Sequence, residues 1–422
     1  MSALKVRRGP AVAGVAATAL LGAGLLGSVA ACGVVSSATT APTAASTLTA
    51  HPVASTAASA PRSAAPAGAT GSKSGVPWNQ VGPNWSLANT SSGTSTDPGP
   101  STLYLVSPTG STYPVYRWPA SQTPPILDAW SPSKTEALLR EASKTGPLTN
   151  TYERLNLETG QVIGTFTLPN VDSVAYTLPD GQQLLVSQLT QDAGATQETA
   201  TVARYSLAGG LEQTLYTAAT SITSTAQVNP VASPDGTTIA LGIAAGVGLV
   251  SNAGGTLTRL TVPGESGCSP VRWWGSSTVL AACTNAGNQR QLWLVPDGGA
   301  AATALTPIRQ GDDSGTNVDL GDIDAWQVSS GLYLQSLGPC GALELNKQAA
   351  NGSYTTVTIP DAGSIVVVTS DGSRLLLDTR GCAPGNTLMW YNPASGSATV
   401  ALKSGVVEVI PFASEQDPAD IP

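Results

Sequence analysis

Residues 229–263 read NPVASPDGTTIALGIAAGVGLVSNAGGTLTRLTVP, and this stretch decides the fold. It parses into four short strands. Val231-Ala232 leads into the turn Ser233-Pro234-Asp235-Gly236. The runs Ile239–Ile243 and Val247–Val250 follow, then a Gly254-Gly255 turn and the run Leu257–Val262. The turn has a mechanism: Pro presets φ at its second position, Asp accepts a local backbone hydrogen bond, and Gly takes the left-handed geometry that closes the hairpin. One such unit cannot bury both of its faces, so recurrence implies a stacked array.

The unit recurs. Aligning on the first strand of each copy places anchors at Trp130, Tyr176, Ala232, Trp273, Trp326, Val367 and Ile410. Successive gaps are 46, 56, 41, 53, 41 and 43 residues, the spacing of four-stranded propeller blades. The turns vary on one theme: Ser131-Pro132-Ser133-Lys134, Leu178-Pro179-Asp180-Gly181, Ser233-Pro234-Asp235-Gly236 and Thr369-Ser370-Asp371-Gly372. This pattern resembles the TolB-like propellers, whose blades carry a Ser-Pro-Asp-Gly turn between their first two strands. The resemblance covers about Trp78 to Ala413 and implies an all-β propeller. TolB has an α/β domain before its propeller, where this chain has a low-complexity segment.

Ring closure follows from what is left unpaired. Six units are complete between Ile126 and Ser404, and the strand Val406–Pro411 has no successors. Near the other end, Trp85–Ala88, Leu103–Val106 and Tyr113–Tyr116 are three strands without a first. One C-terminal and three N-terminal strands make a seventh blade and remove two exposed edges. The expectation is seven blades, with six or eight as the register alternatives.

Ahead of the propeller, Lys5, Arg7 and Arg8 precede an apolar run from Ala11 to Ala31, which ends Ser28-Val29-Ala30-Ala31-Cys32. Small residues before a Cys resemble the bacterial lipobox, with Val29 in place of the usual Leu. The resemblance implies a lipoprotein signal peptide over 1–31 and acylation of Cys32. The alternatives are an ordinary secretory signal or a retained transmembrane helix. Residues 32–77 are rich in Ala, Ser, Thr and Pro and are expected to form a disordered tether, with a reach on the order of 35 Å. The propeller is expected over 78–413 and a short disordered tail over 414–422. The expected location is the outer face of the cytoplasmic membrane, held by the lipid anchor, with an unknown envelope protein or glycan as the partner and a monomeric chain.

Charge and histidine usage exclude much. Charged residues make up 11% of the 422 and the net charge is −8. No Lys/Arg stripe is available for nucleic acid. The single histidine, His51, lies in the tether. Ser-His-Asp triads, Cys-His pairs and His-ligated metals are therefore excluded from the folded body.

Once Cys32 is set aside, Cys268, Cys283, Cys340 and Cys382 remain, an even number in an exported chain. Of three possible pairings, the blade register selects Cys268–Cys283 and Cys340–Cys382. The densest acidic stretch holds Asp312, Asp313, Asn317, Asp319, Asp322 and Asp324. Its oxygens suit calcium, although the spacing matches no EF-hand. The bland reading is a solvated loop in which Asp322 or Asp324 caps a turn. Trp130, Trp273 and Trp326 hold equivalent blade positions, which points to packing between blades rather than sugar stacking.

The expected function is a lipid-anchored binding or scaffolding module with no cofactor, calcium aside. Two alternatives stay open: a carboxylate-based hydrolase or lyase with a site in the channel, and a calcium-dependent or glycan-binding cell-wall module. Carboxylates converging from different blades with perturbed ionisation would favour the enzyme.

Overall fold

The computed structural model describes residues 75–93, 99–141, 149–169, 171–190, 197–221, 229–308, 321–338, 342–380, 386–403 and 405–412. Cys32, Cys340, Cys382, Asp312, Asp313, Asn317 and Asp319 lie outside them, as do the signal peptide and nearly all of the tether.

The N-terminal strands are β1 (Ser86–Ser91), β2 (Ser101–Val106) and β3 (Thr112–Trp118). Blade 1 contains β4 (Ile126–Trp130), β5 (Glu136–Arg140), β6 (Thr149–Asn156) and β7 (Gln161–Pro169). Blade 2 contains β8 (Val171–Tyr176), β9 (Gln183–Thr190), β10 (Gln197–Ser206) and β11 (Leu211–Ser221). Blade 3 is built from β12 (Val231–Ala232), β13 (Thr238–Ile243), β14 (Gly246–Ser251) and β15 (Thr258–Thr261). Blade 4 holds β16 (Glu265–Trp273), β17 (Thr278–Asn285), β18 (Arg290–Pro296) and β19 (Thr303–Ala304). Blade 5 holds β20 (Asp322–Val328), β21 (Gly331–Leu337), β22 (Leu343–Gln348) and β23 (Tyr354–Thr356). Blade 6 runs β24 (Ser364–Ser370), β25 (Leu375–Arg380), β26 (Thr387–Asn392) and β27 (Ser397–Leu402), and the last strand is β28 (Val406–Pro411).

The sheets number seven, each of four antiparallel strands, which removes the six- and eight-blade alternatives. Blade 7 is the composite sheet β28-β1-β2-β3. Its ladder pairs Leu87 with Ile410, Ala88 with Val409 and Asn89 with Glu408. The two ends of the chain are thus joined in one sheet, and the ring has no open edge where it closes.

Blade-to-blade packing is apolar all the way round. Leu87, Leu103 and Trp118 of blade 7 bury against Leu127, Trp130 and Leu139 of blade 1. Equivalent clusters fill the seams between blades 1 and 2, 2 and 3, 3 and 4, 4 and 5, 5 and 6, and 6 and 7. Trp130 meets Phe412 edge-on at 4.9 Å, and Trp273 donates its indole N–H to the Val231 carbonyl across a seam. The tryptophans at equivalent positions therefore serve inter-blade packing.

The deciding turn forms as its residues dictate. The Gly236 N–H donates to the Ser233 carbonyl at 2.8 Å, and Asp235 Oδ1 accepts from the Thr237 N–H at 3.0 Å. Gly236 has φ 73°, and a Cβ there would meet the Leu178 carbonyl oxygen of blade 2 at 2.0 Å. Glycine is needed twice over, for the backbone conformation and for the close approach of the next blade.

A candidate site where the ring closes

The innermost strands of blades 6, 7 and 1 begin on one face of the disc, where their antiparallel neighbours end. Ser364 pairs with Arg380 and Ile126 with Arg140. Five ionisable groups gather at this entry face: Asp128 and Arg140 on blade 1, Glu408 on blade 7, and Asp378 and Arg380 on blade 6. Each of the three acids stands inside an apolar strand. Asp128 follows Leu127, Glu408 lies between Val407 and Val409, and Asp378 follows Leu377.

Local structure positions them. Asp128 is the extra residue of a β-bulge, since Leu127 opposes Leu139 while Ala129 opposes Leu138. A bulge re-aims a side chain away from the regular alternation. The Arg140 guanidinium then grips the Asp128 carboxylate with Nε at 2.7 Å and Nη2 at 3.2 Å. In blade 6 the Arg380 Nε donates to Asp378 Oδ2 at 3.0 Å, while Asp378 Oδ1 is buried without a partner. Glu408 reaches across the seam from blade 7 to blade 1, where its Oε2 accepts the Leu127 N–H at 2.5 Å. Its ladder partner Asn89 is 2% exposed and has a buried, unpartnered Oδ1.

These environments split the ionisation of the acids. Burial pushes Glu408 up to about 8; the Leu127 N–H opposes this, the Asp128 charge adds to it, and Arg140 and Arg380 oppose it. Burial raises Asp128 to about 6 against the hydrogen bond and charge of Arg140. Asp378 is also raised, by burial, with Arg380 opposing. Burial and the Asp128 charge hold the neighbouring Tyr152 phenol well above its ordinary range. Burial thus favours the neutral form of Glu408 more strongly than that of Asp128, which keeps the Arg140 counter-charge.

The residues singled out from sequence fall elsewhere. Cys268 and Cys283 face one another on β16 and β17 and are joined by a disulfide. Asp322 and Asp324 do not cap a turn. Both lie within β20: Asp322 accepts the Ser336 hydroxyl at 2.7 Å, and Asp324 binds Arg272 of blade 4 at 2.9 Å. Strand pairing holds them in the sheet, and bonds to other strands use their carboxylates. Among the described residues, no three carboxylate, thiol or imidazole side chains come together as a metal-binding group. The buried acids of the entry face, Asp128, Glu408 and Asp378, come from three blades, and the described members of the stretch 312–324 are held within β20.

Sequence reasoning missed Asp128, Asp378 and Glu408. Their signal was available as a lone acid within an apolar strand, a residue type that is rarely buried without a specific partner.

No protein-family model matches the chain, and no curated protein is similar to it in sequence. Solved structures are similar in fold. A structure of prolyl endopeptidases superposes with a TM-score of 0.51 at 14% identity, covering 78% of this chain and 51% of that one. The periplasmic gluconolactonase of Pseudomonas aeruginosa gives a TM-score of 0.48 at 15% identity, over 77% of this chain and 97% of its own. A puromycin-hydrolysing peptidase of Mycobacterium tuberculosis gives 0.46 at 14%, over 76% and 52%. The chain spans about half the length of the two peptidases. At such identities the likeness is one of fold. The TolB-like resemblance keeps its coarser content, a seven-bladed propeller. Among the described residues no helix is long and apolar enough to cross a membrane.

Proposed function

We propose that this protein is a lipid-anchored, extracytoplasmic propeller that binds a ligand or envelope partner on its entry face. Acylation at Cys32 and the tether through residue 77 would hold the propeller at the outer surface of the cytoplasmic membrane. The observation that carries the reading is the gathering of Asp128, Arg140, Glu408, Asp378 and Arg380 from three adjacent blades onto one face. Rigid sheets hold these groups at one face of the disc, and function is carried by groups displayed at the edges of such scaffolds.

The test is cross-linking of the anchored, full-length protein in membranes. Glu408→Gln and Arg380→Gln are expected to lose the cross-linked product, while Lys134→Gln on the opposite face retains it. Equal products from all three variants would overturn the reading.

A second reading is a carboxylate-based hydrolase. It is favoured by two buried acids on separate blades whose ionisation is raised unequally, Glu408 to about 8 and Asp128 to about 6. Turnover of an ester, lactone or glycoside panel that vanishes in both Glu408→Gln and Asp128→Asn would move the conclusion to catalysis.

A further inference from the structure

Blade 7 carries a second feature on the entry face, on the opposite side of its sheet from Glu408. An open cleft of about 310 Å³ is lined by Thr90, Ser91, Ser92, Thr102, Tyr104 and Arg117, with Pro100 at its edge. The register explains how it forms. Thr90 is directly opposite Thr102, and Thr102 is directly opposite Arg117, so the three make a row across β1, β2 and β3. Tyr104 lies one step below Thr102 on the same side of the sheet. Its ring packs against the apolar cluster shared with blade 6, which includes Ala88, Val368 and Trp390.

The chemistry of the lining is selective. Arg140, Arg154, Arg272, Arg374 and Arg380 each face a carboxylate. Arg117 is exposed, and among the described residues no hydrogen bond or ion pair occupies its guanidinium. It offers a planar fork of donors suited to a carboxylate. The Thr90 hydroxyl donates to the Thr102 carbonyl at 3.2 Å, and the Ser92 hydroxyl to the Pro100 carbonyl at 3.3 Å. The lone pairs of both oxygens are left to accept from a ligand. Tyr104 adds an apolar face with a polar tip. A bare inorganic anion would use the arginine and leave the ring idle. A neutral sugar would offer the arginine only neutral oxygens, a weaker partner than a carboxylate.

We infer that this cleft binds an acidic saccharide, a pyranose ring bearing a carboxylate. Arg117 takes the carboxylate, Tyr104 packs under the ring, and Thr90 and Thr102 meet its hydroxyls. The inference rests on the binding reading above and names a ligand class for the entry face. The volume lies at the lower end of small-molecule sites, which suits one terminal unit rather than a chain lying along a groove.

The test is a calorimetric titration of the full-length protein with glucuronate, glucose, acetate and an oligosaccharide ending in glucuronate. Glucuronate is expected to bind at least tenfold more tightly than glucose, with acetate failing to compete. Arg117→Gln should bring glucuronate down to the level of glucose, a loss of about tenfold or more. Tyr104→Leu, which keeps an apolar group against the blade 6 cluster, should weaken both sugars. The oligosaccharide arm separates a free sugar acid from the end of a cell-wall glycan, according to which binds more tightly. Equal binding of glucuronate and glucose, no effect of Arg117→Gln, or no saccharide binding would overturn the inference. If saccharides fail but the membrane cross-link remains sensitive to Glu408→Gln, only the ligand class falls. If that sensitivity is absent too, the binding reading falls with it.

Discussion

Two seams of the propeller each bury a carboxylate from an innermost strand, and they treat it differently. Between blades 4 and 5, Asp324 meets Arg272 through Nη1 at 3.0 Å and Nη2 at 2.9 Å, and the same guanidinium lies 3.5 Å over the Trp326 ring. Between blades 7 and 1, Glu408 has the Leu127 N–H, while Arg140 and Arg380 are already gripped by Asp128 and Asp378. One acid has a whole guanidinium, and the other has a share of two. Burial therefore dominates at Glu408 and raises its ionisation into the neutral range. A charge placed across a seam can be structural or available for use, and the allocation of counter-charges decides which.

The largest effect should come from breaking the satisfied seam. Arg272→Met leaves the Asp324 carboxylate buried without its guanidinium counter-charge, with an expected loss of about 3–5 kcal/mol in urea denaturation. The double change Arg272→Met with Asp324→Leu should recover most of it, because a well-packed apolar pair replaces the ions. A double variant as unstable as the single one would show that the pair carries more than charge compensation.

The underserved seam should instead respond to pH. The folded protein holds Glu408 neutral up to about pH 8, whereas the ordinary value is 4.5. Below about 4.5 both states are protonated and its stabilising contribution is complete. That contribution is lost as pH rises towards 8, because the unfolded chain then releases a proton that the folded chain retains. Glu408→Gln should be close to wild type at pH 5 and more stable than wild type by about 3 kcal/mol at pH 9. Parallel curves of melting temperature against pH for the two proteins would contradict this assignment.

A third seam tunes the comparison more finely. Tyr176 of blade 2 donates its hydroxyl to Glu136 of blade 1 at 2.7 Å, while the Arg154 fork holds that carboxylate from the same blade. Because Glu136 keeps its guanidinium, Tyr176→Phe should cost only about 1–2 kcal/mol. A cost as large as that of Arg272→Met would mean that counter-charge allocation does not rank the seams.

The candidate site was less legible than the fold for a related reason. Cys268 and Cys283 could be paired from the chain because they fall opposite one another on neighbouring strands of a single blade. Glu408 and Asp128 are about 280 residues apart in sequence and meet across the ring closure through the Leu127 N–H. The acids of the stretch 312–324 are close together in sequence. Yet its described members, Asp322 and Asp324, are bonded into strand β20 and its neighbours.

Turn chemistry and repeat spacing by themselves determined that the chain makes four-stranded blades and that the last borrows its innermost strand from the far terminus, while the count of seven over six or eight was settled by the sheets. Those features follow from local backbone preferences and from the need to leave no sheet edge unpaired. Which acids lose their water, and which arginines are paired with a carboxylate, depended on how neighbouring blades pack. Desolvation and ion pairing act between groups far apart in sequence, so only the folded ring decided them.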